Sequence, residues 1–193
     1  MHHRYRAARG PSRAEAVIPV GGMPLRNQRQ VAFLGALVLG LAVRLIFFHR
    51  GGTFDVDQWS SWGQAVNNQG LLSAYAGGLY PIQWAIFGLV AELATNLGAS
   101  FAELLKATNL VFDVGNLTLL IVLLRRCGLA PEWALFYWLG PYFVVIGWLG
   151  YVDAQMTFFV LSALVLLRTR PSAARGAVAG IPFAVALLMK PKF

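Results

Sequence analysis

The chain has 193 residues, of which 58% are hydrophobic and only 12% charged, with a formal net charge of +8 at pH 7. An average soluble domain carries about 25% charged residues, so this composition excludes a soluble globular surface and points to a multi-span membrane protein. The basic residues cluster at the ends of apolar segments, which fits a membrane surface rather than nucleic acid, and the single Cys127 excludes an internal disulfide or a cysteine-based metal site.

Residues 1–30 are polar and rich in Arg, Gly and Pro. They read as a disordered basic cytoplasmic tail leading into an uncleaved first span. Apolar stretches follow at about 31–48, 80–97, 105–124, 131–150, 151–167 and 176–189. A spanning helix needs roughly 20 residues. Positive charge decides which stretches cross. If 80–97 lies in the interface, then Arg125, Arg126, Arg168, Arg170 and Arg175 all fall on the cytoplasmic side with the N-terminal arginines. Glu92, Thr95 and Asn96 agree with that placement, because a carboxylate at the membrane centre is costly. The expected fold is therefore all-α. It is a multi-pass bundle with spans at 31–48, 105–124, 131–150, 151–167 and 176–189, and an external loop 49–104 carrying juxtamembrane amphipathic helices. For a prokaryotic protein the membrane is the plasma membrane.

The external loop begins with "FDVDQWSSWGQAVNNQG". The spacing predicts an amphipathic helix over 58–68, with Trp59, Trp62, Ala65 and Val66 on one stripe facing the lipid–water boundary. Asp57 is its expected N-cap and Gly70 its stop. On spacing alone the acidic pair fits a cap beside a solvated turn residue as well as a catalytic carboxylate. A cap position lowers a carboxyl pKa, so Asp55 is the better general base.

In the predicted topology Asp55, Asp57, Asp153, Lys190 and Lys192 share the outer face. Asp113 lies within its span, about 12 Å deep at 1.5 Å per residue. Arg44 is its expected partner, and this pair reads as structural rather than catalytic. Lys106 reads as an interface anchor, and the aromatics of "YFVVIGWLGY" as a belt rather than a sugar platform.

The order of these features resembles the N-terminal half of a GT-C glycosyltransferase, an integral-membrane enzyme that uses lipid-phosphate sugar donors. "DVDQW" resembles the D-x-D motif of the GPI-anchor mannosyltransferase catalytic subunit, and "DVDQWSSW" the acidic-to-Trp spacing of dolichyl-phosphate-glucose-dependent enzymes. "YPIQWAIFGLV" is similar to the family's Y-P-P-L helix, with Ile82 for the second proline. "LLKATNLVFDVGNLTLLIVLLRR" resembles its Lys- and Asp-bearing span, and "GYVDAQM" its G-Q-V-D-A span with Tyr151 for Gln. "ALLMKPKF" resembles its L-x-K-P-Q segment, with Lys192 for Gln.

The resemblance covers residues 31–193 and implies transfer of a hexose, mannose-like, from a polyprenyl-phosphate donor to a hydroxyl of a glycan, lipid or protein acceptor. It implies that Asp55 is the catalytic carboxylate and that Asp57 is the second acidic position. Asp153, Lys190 and Tyr80 would contact substrate, with Lys190 facing the donor phosphate. Neither a metal nor another cofactor is expected, a divalent ion being optional because lipid phosphate leaves well. Complete members carry further spans, so the chain reads as an N-terminal portion of low activity alone. The alternative is a non-enzymatic membrane protein: a partner subunit, a degenerate transferase or a transporter fragment.

Overall fold

The computed structural model describes residues 25–75, 81–168 and 172–189. These are helical, with no strand among the described residues. The helices are α1 (Leu25–Ile46), α2 (Phe54–Gln69), α3 (Leu71–Ala74), α4 (Pro81–Leu97) and α5 (Phe101–Arg126). They are followed by a 3-10 turn (Pro131–Ala134) and by α6 (Leu135–Leu139), α7 (Pro141–Leu149), α8 (Asp153–Leu167) and α9 (Ala173–Met189). Two of them, α1 and α5, are long and apolar enough to cross a membrane, while α8 and α9 are apolar but shorter.

Helix α5 carries its own start signal. The Ser100 side chain accepts from the Glu103 amide at 3.1 Å, and the Glu103 carboxylate accepts from the Ser100 amide at 3.2 Å. This reciprocal capping box satisfies two of the first-turn donors that a helix leaves free. On the inner face of α5, Lys106, Asn109, Asp113 and Asn116 are all buried. Their spacing of three, four and three residues makes a single polar stripe along an otherwise apolar helix.

The predicted single span 131–150 is broken. Gly140 takes φ −59° and ψ 125°, and Pro141 opens a new helix, so α6 and α7 are separate. Proline has no N–H to donate and its ring crowds the carbonyl four residues back. The Trp138 carbonyl, released from the helix ladder, accepts from Arg44 Nη1 at 2.6 Å. A left-handed Gly150 (φ 86°) then ends α7 and turns the chain towards Asp153.

Helices α2 and α4 lie against each other so closely that Gly63 is required. A Cβ there would run into the Phe87 carbonyl and come within 2.9 Å of the Ala91 side chain. Trp59 stacks on Phe87 with ring centroids 5.3 Å apart, and Trp62 on Trp84 at 4.8 Å. The tryptophan stripe therefore faces protein, which corrects its expected contact with lipid. Hydrophobic contact with α4 has claimed the face that the amphipathic pattern assigned to the bilayer. Val56, Phe87, Val90, Leu105 and Val152 form the core beneath it.

Candidate functional site

The acidic pair sits in the first turn of α2. Thr53 is extended (φ −86°, ψ 175°) and holds the N-cap position, so the helix begins at Phe54 and not after Asp57. The expected capping by Asp57 is thus corrected. The cause is Val56, which is 2% exposed and anchors the first turn in the core. Both carboxylates still lie where the positive end of the helix dipole favours negative charge. Two residues apart on a helix, they diverge by about 200° around the axis. Asp55 is half-buried and Asp57 is exposed.

Asp55 stands on the wall of a cleft of about 270 Å³. Gln58, Trp59 and Trp62 of α2, Gln83 and Phe87 of α4, and Tyr151 and Val152 from the turn before α8 complete the lining. Trp59 meets the Tyr151 ring edge-on at 6.0 Å. The wall is thus aromatic apart from Val152, one carboxylate and two amides, and neither Lys nor Arg contributes to it among the described residues. Asp57 does not line it. Tyr151, expected to belong to a lipid-facing belt, faces this cleft instead.

Gln83 is 1% exposed and begins a chain of buried amides. Its Nε2 donates to Gln155 Oε1 at 3.2 Å, and Gln155 Nε2 donates to Asn109 Oδ1 at 2.7 Å. Asn109 Nδ2 in turn donates to the Gly150 and Tyr151 carbonyls at 3.3 and 3.1 Å. This relay joins α4, α8 and α5 and fixes the turn that presents Tyr151. Sequence reasoning passed over Gln83, Asn109 and Gln155. The signal was available for Gln83, which lies four residues before Phe87 and seven before Val90, on the buried face of α4.

A second cavity, of about 140 Å³, is bounded by Asp153, Asp113, Tyr137, Tyr142 and Tyr151 among others. Tyr151 lies on the walls of both cavities, so Asp55 and Asp153 line neighbouring spaces that share this residue.

The structure brings Arg44 and Asp113 together. Arg44 Nε lies 3.2 Å from Asp113 Oδ2, with both side chains 6% exposed. The Tyr137 hydroxyl donates to the other carboxylate oxygen, Oδ1. Asn116 donates to the Tyr137 hydroxyl at 3.0 Å and to the Ala154 carbonyl at 2.8 Å. The Arg44 guanidinium also lies 4.1 Å from the centre of the Trp138 ring. Every partner here joins one helix to another, which is what a structural lock requires.

Lys106, expected as an interface anchor, is 4% exposed and donates to the Phe47, Arg50 and Gly51 carbonyls. It secures the chain leaving α1. Exposed His49 pairs with Glu103 at 2.8 Å. Tyr80 and Lys190, both expected to contact substrate, lie outside the described residues, as do Lys192 and Arg170. No three His, Cys, Asp or Glu side chains converge among the described residues.

Comparison with protein-family models, with curated proteins and with solved structures finds no match for this chain.

Proposed function

We propose that this chain is the N-terminal part of an integral-membrane glycosyltransferase that moves a hexose from a polyprenyl-phosphate donor to an acceptor hydroxyl at the outer membrane face. One observation carries the reading: Asp55 is held on the wall of an aromatic cleft of about 270 Å³. Aromatic faces suit the apolar face of a sugar ring, and a carboxylate among them can take the proton of an attacking hydroxyl. Inverting transfer also needs positive charge near the leaving phosphate, a role the proposal gives to Lys190, with Asp153 orienting substrate from the adjoining cavity.

In the proposed topology α1, α5, the α6–α7 pair, α8 and α9 cross the membrane, while α2 and α4 stay at the outer boundary. Helix α8 is about 22 Å long at 1.5 Å per residue. It crosses a hydrocarbon core of about 30 Å by local thinning and by snorkelling of Arg168. The N-terminus is then cytoplasmic.

The deciding assay is transfer of labelled hexose from polyprenyl-phosphate hexose by the native protein in its own membranes. Asp55→Asn is expected to abolish transfer, and unchanged transfer would sink Asp55 as the base. Asp57→Asn is expected to leave most of it, because Asp57 does not line the cleft.

A second reading, a transporter fragment, draws support from the break between α6 and α7 beside the buried Arg44–Asp113 pair. Transporters place broken helices and ionisable groups at mid-membrane. Here both carboxylate oxygens are already taken by Arg44 and Tyr137. That favours a lock over a binding site.

A further inference from the structure

The buried amide relay has a direction, and the direction says what the cleft binds. The Gly150 and Tyr151 carbonyls can only accept, so the Asn109 group facing them must be its NH₂. Asn109 Oδ1 is then the acceptor for Gln155, whose NH₂ must face it. Gln155 Oε1 is left to accept from Gln83, whose NH₂ is thereby committed. The far end of the relay is fixed as a carbonyl oxygen. Gln83 Oε1 is buried and has no hydrogen-bond partner among the described residues. A buried polar atom in that state requires a donor.

Gln83 lines the same cleft as Asp55, and among the described residues the polar groups on its wall are the Asp55 carboxylate, the Gln58 and Gln83 amides and Tyr151, with no Lys or Arg. A phosphate there would face the Asp55 carboxylate with no cation beside it among the described residues. A neutral ring bearing several hydroxyls fits: its hydroxyls can donate to the Asp55 carboxylate and to Gln83 Oε1, and its C–H face can lie on the indoles.

We infer that Gln83 is a positioning residue whose Oε1 accepts a hydrogen bond from a ring hydroxyl of a hexose seated in this cleft, while the phosphate of any lipid-linked donor stays outside it. This deepens the transferase reading and rests on it for the identity of the ring as a sugar. Gln155 and Asn109 act through Gln83 by holding its amide in one orientation.

The test uses the full chain in lipid nanodiscs. Tryptophan fluorescence reports occupancy, because Trp59 and Trp62 line the cleft. Methyl hexosides of gluco, manno and galacto configuration, with their monodeoxy derivatives, are titrated against wild type, Asp55→Asn and Gln83→Met. We expect one monodeoxy hexoside to bind about three- to tenfold more weakly than its parent in wild type and Asp55→Asn alike, the effect of one lost hydrogen bond. In Gln83→Met that difference is expected to vanish.

The comparison on wild type and Asp55→Asn stands even where Gln83→Met does not fold. Failure of every parent hexoside to bind would overturn the inference. So would a deoxy series with no weakened member, or a difference that survives in Gln83→Met. Failure of the transferase reading looks different: hexoside binding with the expected Gln83 dependence but no transfer by the native protein would remove the enzyme and leave the contact standing. Transfer with donor and acceptor KM values both indifferent to Gln83→Met would remove the contact and leave the enzyme.

Discussion

Replacing Asp113 by leucine tests the lock directly. The substitution removes the counter-ion of a guanidinium whose side chain is 6% exposed, and it removes the acceptor of the Tyr137 hydroxyl. Breaking a buried pair from one side costs about 3–5 kcal/mol, because a charge is left without compensation. Arg44 keeps Nη1 on the Gly40 and Trp138 carbonyls at 3.2 and 2.6 Å, and its plane stays over the Trp138 ring. Its Nε would join Nη2, which already lacks a partner.

The retained contacts place the loss near the lower end, about 3 kcal/mol, or more than a hundredfold in the unfolding equilibrium. The double variant Arg44→Met with Asp113→Leu removes both charges and is expected to recover about 2 kcal/mol of that loss. Reversible unfolding in mixed micelles, followed by tryptophan fluorescence, measures both. A single variant within about 1 kcal/mol of wild type, or a double variant no more stable than the single, would refute the assignment of this pair as a buried lock.

Further expectations concern close approach, the α1 exit and topology. Gly63→Val should push α2 off α4, because the added atoms meet the Phe87 carbonyl and Ala91; a loss of about 1–3 kcal/mol and a red shift of tryptophan emission are the readouts. Gly40→Ala should cost a similar amount, about 1–3 kcal/mol, since its Cβ would enter the Trp138 indole, whose Nε1 donates to the Leu37 carbonyl at 2.9 Å. Lys106→Met removes the ammonium from three carbonyls after α1, of which Phe47 keeps the Arg50 amide, and amide exchange over residues 47–53 should accelerate while the rest of the chain is unchanged. The free, exposed Cys127 is a built-in topology probe. A membrane-impermeant maleimide should label it only after permeabilisation, whereas Ser100→Cys in a Cys127→Ser background should label in intact cells. The opposite pattern would overturn the proposed span count.

Composition and period by themselves determined that this chain is helical and apolar, and they set most helix positions. The stretches read at 31–48, 80–97 and 105–124 correspond to α1, α4 and α5 because long apolar runs and the Ser100-x-x-Glu103 box act locally. Arg44 and Asp113 could be paired from sequence because a lone carboxylate deep in an apolar run demands a cation and few were in reach.

The failures share one cause. Periodicity shows that a helix has an apolar face but not what covers it, so Trp59 and Trp62 were assigned to lipid when α4 covers them. The break at Gly140-Pro141 was visible as residue types, yet the Arg44 side chain that takes the released Trp138 carbonyl comes from 94 positions away. Asp55 and Asp57 are one residue apart in sequence and point in different directions, because the first turn includes both. The Gln83–Gln155–Asn109 relay spans three helices. Which amide oxygen it leaves without a donor depends on two backbone carbonyls in a turn, and only tertiary structure brings those five groups into line.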